Sequence, residues 1–258
     1  MSVLARTTMQ LSLRHARTTL RIPVFVALTL FQPVIWLLLY GNLFRNVVQL
    51  GGFEQTNYIQ FLAPGVVIMT ALFASIWSGM ATVNDLREGI IDRYLTTPAS
   101  RLGIVFGRLV VLAGQIVVQA AIILVLAAIF GKPPAGGVAG DLVVLLVAIL
   151  VAWLFGAFSF TIAVLSGREE TMIGVGNFVT LPLTFLSAIF IARSQIPHWM
   201  RVASDVNPLE WAVAAARSAG SDHANWTLVA ERCGLLLAGV AIMCGCAVWS
   251  FKRYQQTL

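Results

Sequence analysis

Charge is scarce in this sequence. Only 11% of its 258 residues are Asp, Glu, Lys or Arg, and 59% are hydrophobic. An ordinary soluble domain carries roughly 25% charged residues, so a water-facing surface is excluded. The net charge of +6 does not mark a nucleic-acid binder, because the basic residues sit between long apolar runs and form no basic domain. Cysteine is also rare: Cys233, Cys244 and Cys246 all lie in the last apolar run. An odd count with no partners elsewhere excludes a disulfide framework, and these read as small apolar helix residues. No phosphate-binding GxxxxGK[ST] loop is present, since Gly131–Lys132 is followed by Pro133. HExxH and CxxC motifs are absent, and His15, His198 and His223 are scattered. These absences argue against a nucleotide site, a metal site and a catalytic histidine constellation.

What the chain has instead is long stretches without charge. The gaps run 23 residues from Arg21 to Arg45, 30 from Glu54 to Asp85, and 23 from Arg108 to Lys132. They continue with 26 from Asp141 to Arg168, 22 from Glu170 to Arg193 and 19 from Arg232 to Lys252. A helix needs about 20 apolar residues to cross a hydrocarbon core of about 30 Å. The runs are continuously apolar rather than alternating, which disfavours strands. The sequence therefore predicts an all-α polytopic membrane protein with transmembrane helices over 24–44, 59–83, 109–131, 142–166, 171–192 and 233–251. Pro33, Pro64 and Pro182 interrupt three of them, and each removes a backbone donor. The first apolar run follows four arginines and is not followed by a small-x-small cleavage pattern, so it reads as a retained helix.

An even number of spans places both termini on one side. That side holds eleven of the seventeen basic residues, including Arg87, Arg93, Arg101, Arg108, Arg168, Lys252 and Arg253. The excess assigns it to the cytoplasm, in a cell membrane.

Four segments are not spans. Residues 5–21 read as a helix lying on the membrane: at 100° per residue, Arg6, Arg14, Arg17 and Arg21 fall within an arc of roughly 80°. Met9, Leu13, Ala16 and Leu20 share an adjacent face, an arrangement suited to anionic membrane lipid. An unstructured basic tail is the alternative. Residues 84–98 lie in the most charged loop. Asp85, Glu88 and Asp92 form an acidic stripe on a helix, Leu86, Ile90 and Tyr94 an apolar one, and Pro98 closes the segment. Its spacing fits a solvated loop and a docking element inserted into a partner groove equally well. Residues 193–227 carry IPHW, NPLEW and Arg217 among apolar pieces too short to cross. They read as outer helices dipping part-way into the bilayer, or as an ordinary outer loop anchored by Trp199, Trp211 and Trp226. Residues 132–141 form a Pro/Gly-rich outer turn. No internal repeat or domain boundary is visible.

No ionisable residue stands near the middle of any span, which weakens an ion-coupled carrier. With no nucleotide site either, energy from a partner subunit is the simpler account. Gln115 and Gln119 share a face of the third span, and Asn177 lies in the fifth. Such groups usually form interhelical hydrogen bonds, and these three are also the candidates for a substrate path.

Four stretches carry a family resemblance: FQPVIWLLLYG (31–41), YIQFLAPGVVIMTALF (58–73), REGIIDRYLTTPASRLGIVFGR (87–108) and LPLTFLSAIFIARSQIPHWMRVASDVNPLEWAVAAAR (181–217). With the span count, they resemble the permease subunits of type-2 ABC transporters, specifically the daunorubicin-resistance-type drug exporters. The resemblance implies a single permease domain over 1–258, with an N-terminal interfacial helix, a cytoplasmic coupling helix and re-entrant outer helices. It implies coupling to the ATPase through residues 84–98, with Asp85, Glu88, Gly89, Asp92, Arg93 and Pro98 in that role. It further implies two ABC ATPase subunits holding ATP and Mg, a second permease (identical or a paralogue), and no cofactor on this chain. Arg193 departs from the apolar or proline-rich approach common in relatives. The implied activity is export of an amphipathic or lipophilic compound, the chain itself being no enzyme. A polysaccharide or lipid-linked glycan permease and an ion-coupled carrier are the alternatives.

Overall fold

The computed structural model describes residues 23–44, 57–90, 101–131 and 136–256. The expected helix over 5–21 with its four arginines, and Asp92, Arg93 and Pro98, lie outside these residues. Among the described residues there is no strand. Eight α-helices follow in order: α1 Pro23–Leu43, α2 Tyr58–Arg87, α3 Arg101–Phe130, α4 Gly137–Ser166, α5 Glu169–Phe185, α6 His198–Asp205, α7 Pro208–Ala219 and α8 Trp226–Gln255. A 3-10 turn covers Arg193–Gln195.

Helix is what these apolar runs must form, because in lipid every backbone polar group has to be satisfied within the segment. Side chains set the helix starts. Asn57, Asn207 and Asn225 each stand at an N-cap and accept from the backbone N–H of Ile59, Leu209 and Leu228 respectively. Glu169 and Glu170 occupy the first turn of α5, where a helix N-terminus favours negative charge.

Among the described residues, four helices are long and apolar enough to span a membrane: Tyr58–Arg87, Val105–Phe130, Gly137–Ser166 and Trp226–Tyr254. Several bounds differ from the sequence expectation. Helix α2 continues through Asn84–Arg87, so the segment expected to form a separate helix from residue 84 begins as the last turn of a span. It ends at Arg87, and just beyond it Gly89 has a φ of +65°, a left-handed conformation open to glycine. Helix α3 begins at Arg101 rather than at 109, and α8 at Trp226 rather than at 233. The fifth apolar run, expected to be helical over 171–192, stops at Phe185. Its 17 residues reach only about 26 Å at 1.5 Å per residue. Residues 186–192 then turn without forming helix, for a reason that lies in α7 (below).

Helix α2 is central and packs against α1, α3, α4, α5 and α7, while α8 covers α4 and α7. Nearly all of α2 from Tyr58 to Leu72 is buried. Its closest approach is to α4. There the Ser159 hydroxyl accepts from the Gly79 N–H at 3.1 Å and donates to the Ile76 carbonyl. A Cβ on Gly79 would stand 2.3 Å from Ser159 Oγ and 2.4 Å from Met172 Cε, so the crossing needs glycine.

Candidate functional site

Three features build the site: an anchored end near Arg87, a cavity between α1 and α4, and a clamp at the opposite end. The first is the end at which α2 finishes and α3 begins. Arg108 of α3 donates to Asp85 and, at 2.5 Å, to Thr82 Oγ1, both on α2. Arg87 pairs with Glu169 at the start of α5. The Asp85–Arg108 pair is mostly buried and the Arg87–Glu169 pair is largely exposed. Asp85 therefore turns inward, away from the acidic stripe in which the sequence placed it. Glu88 remains exposed just beyond the helix. The physical reason is local: α3 starts two turns earlier than its apolar run, which brings Arg108 alongside the last turn of α2.

The cavity has a volume of about 670 Å³ and lies between α1, α2, α3 and α4. Gln32, Trp36, Trp77, Gln115, Gln119 and Phe160 are among its lining residues, with Arg108 and Asn84 at the anchored end. Gln119 is only 3% exposed, yet its Oε1 has no hydrogen-bond partner among the described residues. Gln115 and Gln119, paired by the sequence on one face of α3, do meet at this cavity. Asn177 does not join them: it sits on the exposed face of α5. Gln32, across the cavity on α1, completes a set of three glutamines that sequence spacing could not assemble, because it comes from another span.

The clamp holds the non-helical stretch after α5. Asn207 Nδ2 donates to the Leu183 carbonyl at 2.8 Å, so one side chain caps α7 and satisfies the end of α5. The Glu210 carboxylate accepts from the Ala188 N–H at 2.6 Å. The Arg217 guanidinium donates to the carbonyls of Ala188, Ile189 and, at 3.3 Å, Phe61, and stacks 3.6 Å above the Phe61 ring. Tyr58 donates its hydroxyl to the Phe190 carbonyl at 2.7 Å. Buried backbone groups need partners, and here four side chains from α2 and α7 supply them where a helix would have. This is why the fifth helix can stop at Phe185. Burial pushes the Glu210 carboxyl above its ordinary value, opposed by the Ala188 N–H and by Arg217, Arg193 and Arg232. Burial also lowers Arg217 to about 10, leaving it charged at neutral pH. Sequence reading missed this pair. The available signal was two opposite charges seven residues apart, hence on one face, within an otherwise apolar helix.

The chain belongs to the ABC-2 type transporter family, whose model matches residues 6–219. It is 29% identical over 201 residues to the daunorubicin resistance ABC transporter permease protein DrrB1 of Streptomyces coeruleorubidus, covering 76% of this chain and 68% of that relative. A putative transport permease, ycf38, of Porphyra purpurea is also 29% identical over 201 residues, with the same coverage of the two chains. The inner membrane transport permease YadH of Escherichia coli is 26% identical over 194 residues, covering 73% of this chain and 74% of the relative. The chain is thus a multi-pass membrane protein of a permease family whose members work with ABC ATPase subunits.

Proposed function

We propose that this chain is the membrane-spanning subunit of an exporter that moves an amphipathic or lipophilic compound from the cytoplasm or inner leaflet. ATP hydrolysis on two separate ATPase subunits drives it, with ATP and Mg held there, and a second permease, identical or a paralogue, completes the complex. The six-span topology belongs to this reading, with the Arg87 end in the cytoplasm of a bacterial cell and 193–227 re-entrant from the outside.

The observation that carries the proposal is the mechanical anchoring of the loop after α2. The last turn of α2 is bonded to α3 through Asp85–Arg108 and to α5 through Arg87–Glu169. A force applied to the loop is delivered to three helices together. Glu88, Asp92 and Arg93 contact the ATPase, Gly89 and Pro98 shape the loop, and Asp85 serves inside the permease as the anchor. Residues 5–21 lie along the inner lipid surface with Arg6, Arg14, Arg17 and Arg21 toward its headgroups.

A glycan permease is the second reading. Trp36, Trp77 and Phe160 would suit sugar faces, but the cavity's other walls include Met69, Leu109 and Leu112, which favour a lipophilic cargo. An ion-coupled carrier is disfavoured because the buried ionisable pair Glu210 and Arg217 is already committed to backbone groups.

The test uses the complex reconstituted with its ATPase. Glu88→Ala should leave membrane insertion intact, while lowering transport per ATP hydrolysed or weakening assembly. Full assembly and unchanged coupling in Glu88→Ala and in the Glu88→Ala, Asp92→Ala double variant would overturn the coupling role.

A further inference from the structure

We propose that the cavity within a single subunit, between α1 and α4, is a loading site for a neutral, mainly apolar molecule bearing a hydroxyl, amino or amide hydrogen-bond donor. This inference rests on the export reading above and names the chemical class of its cargo.

Five observations converge. The cavity is of the size that encloses a small organic ligand, since such pockets run from about 300 to 1,000 Å³, and this one measures about 670 Å³. Its lining on α3 runs from Gln119, near the middle of the helix, to Arg108 and Val105. It therefore occupies the half of the bundle nearest the anchored loop, where cargo from the inner leaflet would enter. Among the described residues of the lining the one charged side chain, Arg108, is neutralised by Asp85 and already donates to it and to Thr82. A site so balanced selects neither anion nor cation. The fourth and fifth observations are the ring walls and the amides. Trp36, Trp77 and Phe160 offer flat apolar faces, while Gln32, Gln115 and Gln119 make no side-chain hydrogen bond among the described residues.

Gln119 decides the polarity of the ligand. Its Oε1 is a buried acceptor with no donor, and leaving such a group unpaired is costly in an apolar interior. A ligand that brings an N–H or O–H to that position relieves the cost, whereas a pure hydrocarbon does not. The same chemistry could come from an exported compound or from the hydroxyl or amide region of a membrane lipid, and the arms of the experiment below separate the two.

The test uses the full chain in phosphatidylcholine nanodiscs, with 1-aminoanthracene as probe and anthracene as its donor-free counterpart. Wild type should bind 1-aminoanthracene saturably, at one site per chain, with quenching of tryptophan emission. Gln119→Leu should weaken 1-aminoanthracene about tenfold and leave anthracene unchanged or tighter, which also shows that the cavity survives the substitution. Ala74→Phe, on the α2 wall, should abolish saturable binding of both. Equal loss of both probes in Gln119→Leu, or full binding in Ala74→Phe, would overturn the assignment. So would a phospholipid that co-purifies with wild type, is lost in Ala74→Phe, and leaves no saturable probe binding. Because the measurement needs no ATPase, its failure removes the cavity assignment and leaves the export reading standing. Failure of coupling in the reconstituted complex removes the export reading whatever the probes do.

Discussion

Arg217→Ala removes the group on which the clamp after α5 depends, and its effect can be worked from the contacts. The guanidinium satisfies the carbonyls of Ala188 and Ile189, which stand in the turn after α5, where no helix supplies donors. Leaving a buried acceptor unpaired costs about 1–3 kcal/mol. Loss of stacking over the Phe61 ring, at 3.6 Å, adds about 0.5–2 kcal/mol. Partial rearrangement of the turn offsets some of this, so a net loss of about 3–5 kcal/mol is expected. At about 2–4 °C per kcal/mol for a chain of this size, the melting temperature in detergent should fall by roughly 10 °C. Arg217→Lys keeps the charge but replaces a planar fork by one ammonium, which cannot reach the same set of carbonyls together, and about half the loss should remain. A second readout is local. With the native cysteines replaced, Ser187→Cys should resist a membrane-impermeant maleimide in the Arg217 background and react readily in Arg217→Ala. A melting temperature within a degree of the parent and an unreactive Cys at 187 would refute the claim that Arg217 holds this turn.

Other perturbations test the remaining contacts. Glu210→Gln keeps an acceptor for the Ala188 N–H and should cost little, whereas Glu210→Ala orphans that donor and should cost about 1–3 kcal/mol in thermal unfolding. Because burial raises the folded-state value of Glu210, its charged form is a burden on the fold at neutral pH. The stability of wild type relative to Glu210→Gln should therefore rise as pH falls from the raised value toward the ordinary glutamate range, and a relative fall on acidification would contradict this. A double-mutant cycle on Asp85→Ala and Arg108→Ala should give a coupling energy of about 1–3 kcal/mol; additivity would mean the pair anchors nothing. Gly79→Ala should lose about 1–3 kcal/mol through the clash with Ser159 and Met172, measured by thermal unfolding. Purified chain free of ATPase subunits should show no ATP turnover, and robust turnover would refute the absence of a nucleotide site.

The long helices were legible because one signal, a charge-free run of about 20 residues, is both necessary and nearly sufficient for a helix in lipid. Their ends were less so. The last turn of α2 and the first turns of α3 and α8 carry charge or polar residues, and a rule based on missing charge cuts them off. The halt of α5 at Phe185 was hidden for a different reason. Nothing in residues 171–192 except Pro182 interrupts the apolar pattern, and the groups that make a non-helical turn tolerable lie on α2 and α7, in Tyr58, Asn207, Glu210 and Arg217. Within the site, Gln115 and Gln119 could be paired because i, i+4 is a local relation, whereas Gln32, on α1, joined them only through the packing of helices. Asp85 looked like part of an outward acidic stripe because helical spacing assigns a face but not a neighbour.

The distribution of hydrogen bonds also distinguishes the walls of the cavity. Helix α2 is tied to α4 through Ser159, to α3 through Arg108, to α5 through Arg87, and to α7 through Arg217. Helix α3 is tied to α4 as well, by the Trp153 indole N–H donating to the Leu109 carbonyl at 3.0 Å. Helix α1 has no such tie: among the described residues its only side-chain hydrogen bond is internal, from Asn42 to the Leu38 carbonyl. It is held by apolar packing and by rings, with Trp36 stacked on Tyr40 at 4.7 Å and both against Phe190. Ring and methyl contacts can slide and re-form at small cost per atom pair, whereas separating α2 from α3 or α4 breaks charged or buried polar contacts. Among the described residues, then, α1 meets the cavity through apolar and ring contacts, while the walls built by α2, α3 and α4 are joined to one another by polar ones. Phe190, the ring against which Trp36 and Tyr40 pack, belongs to the turn that Arg217 and Glu210 secure, so the aromatic contacts of α1 join it to the clamp.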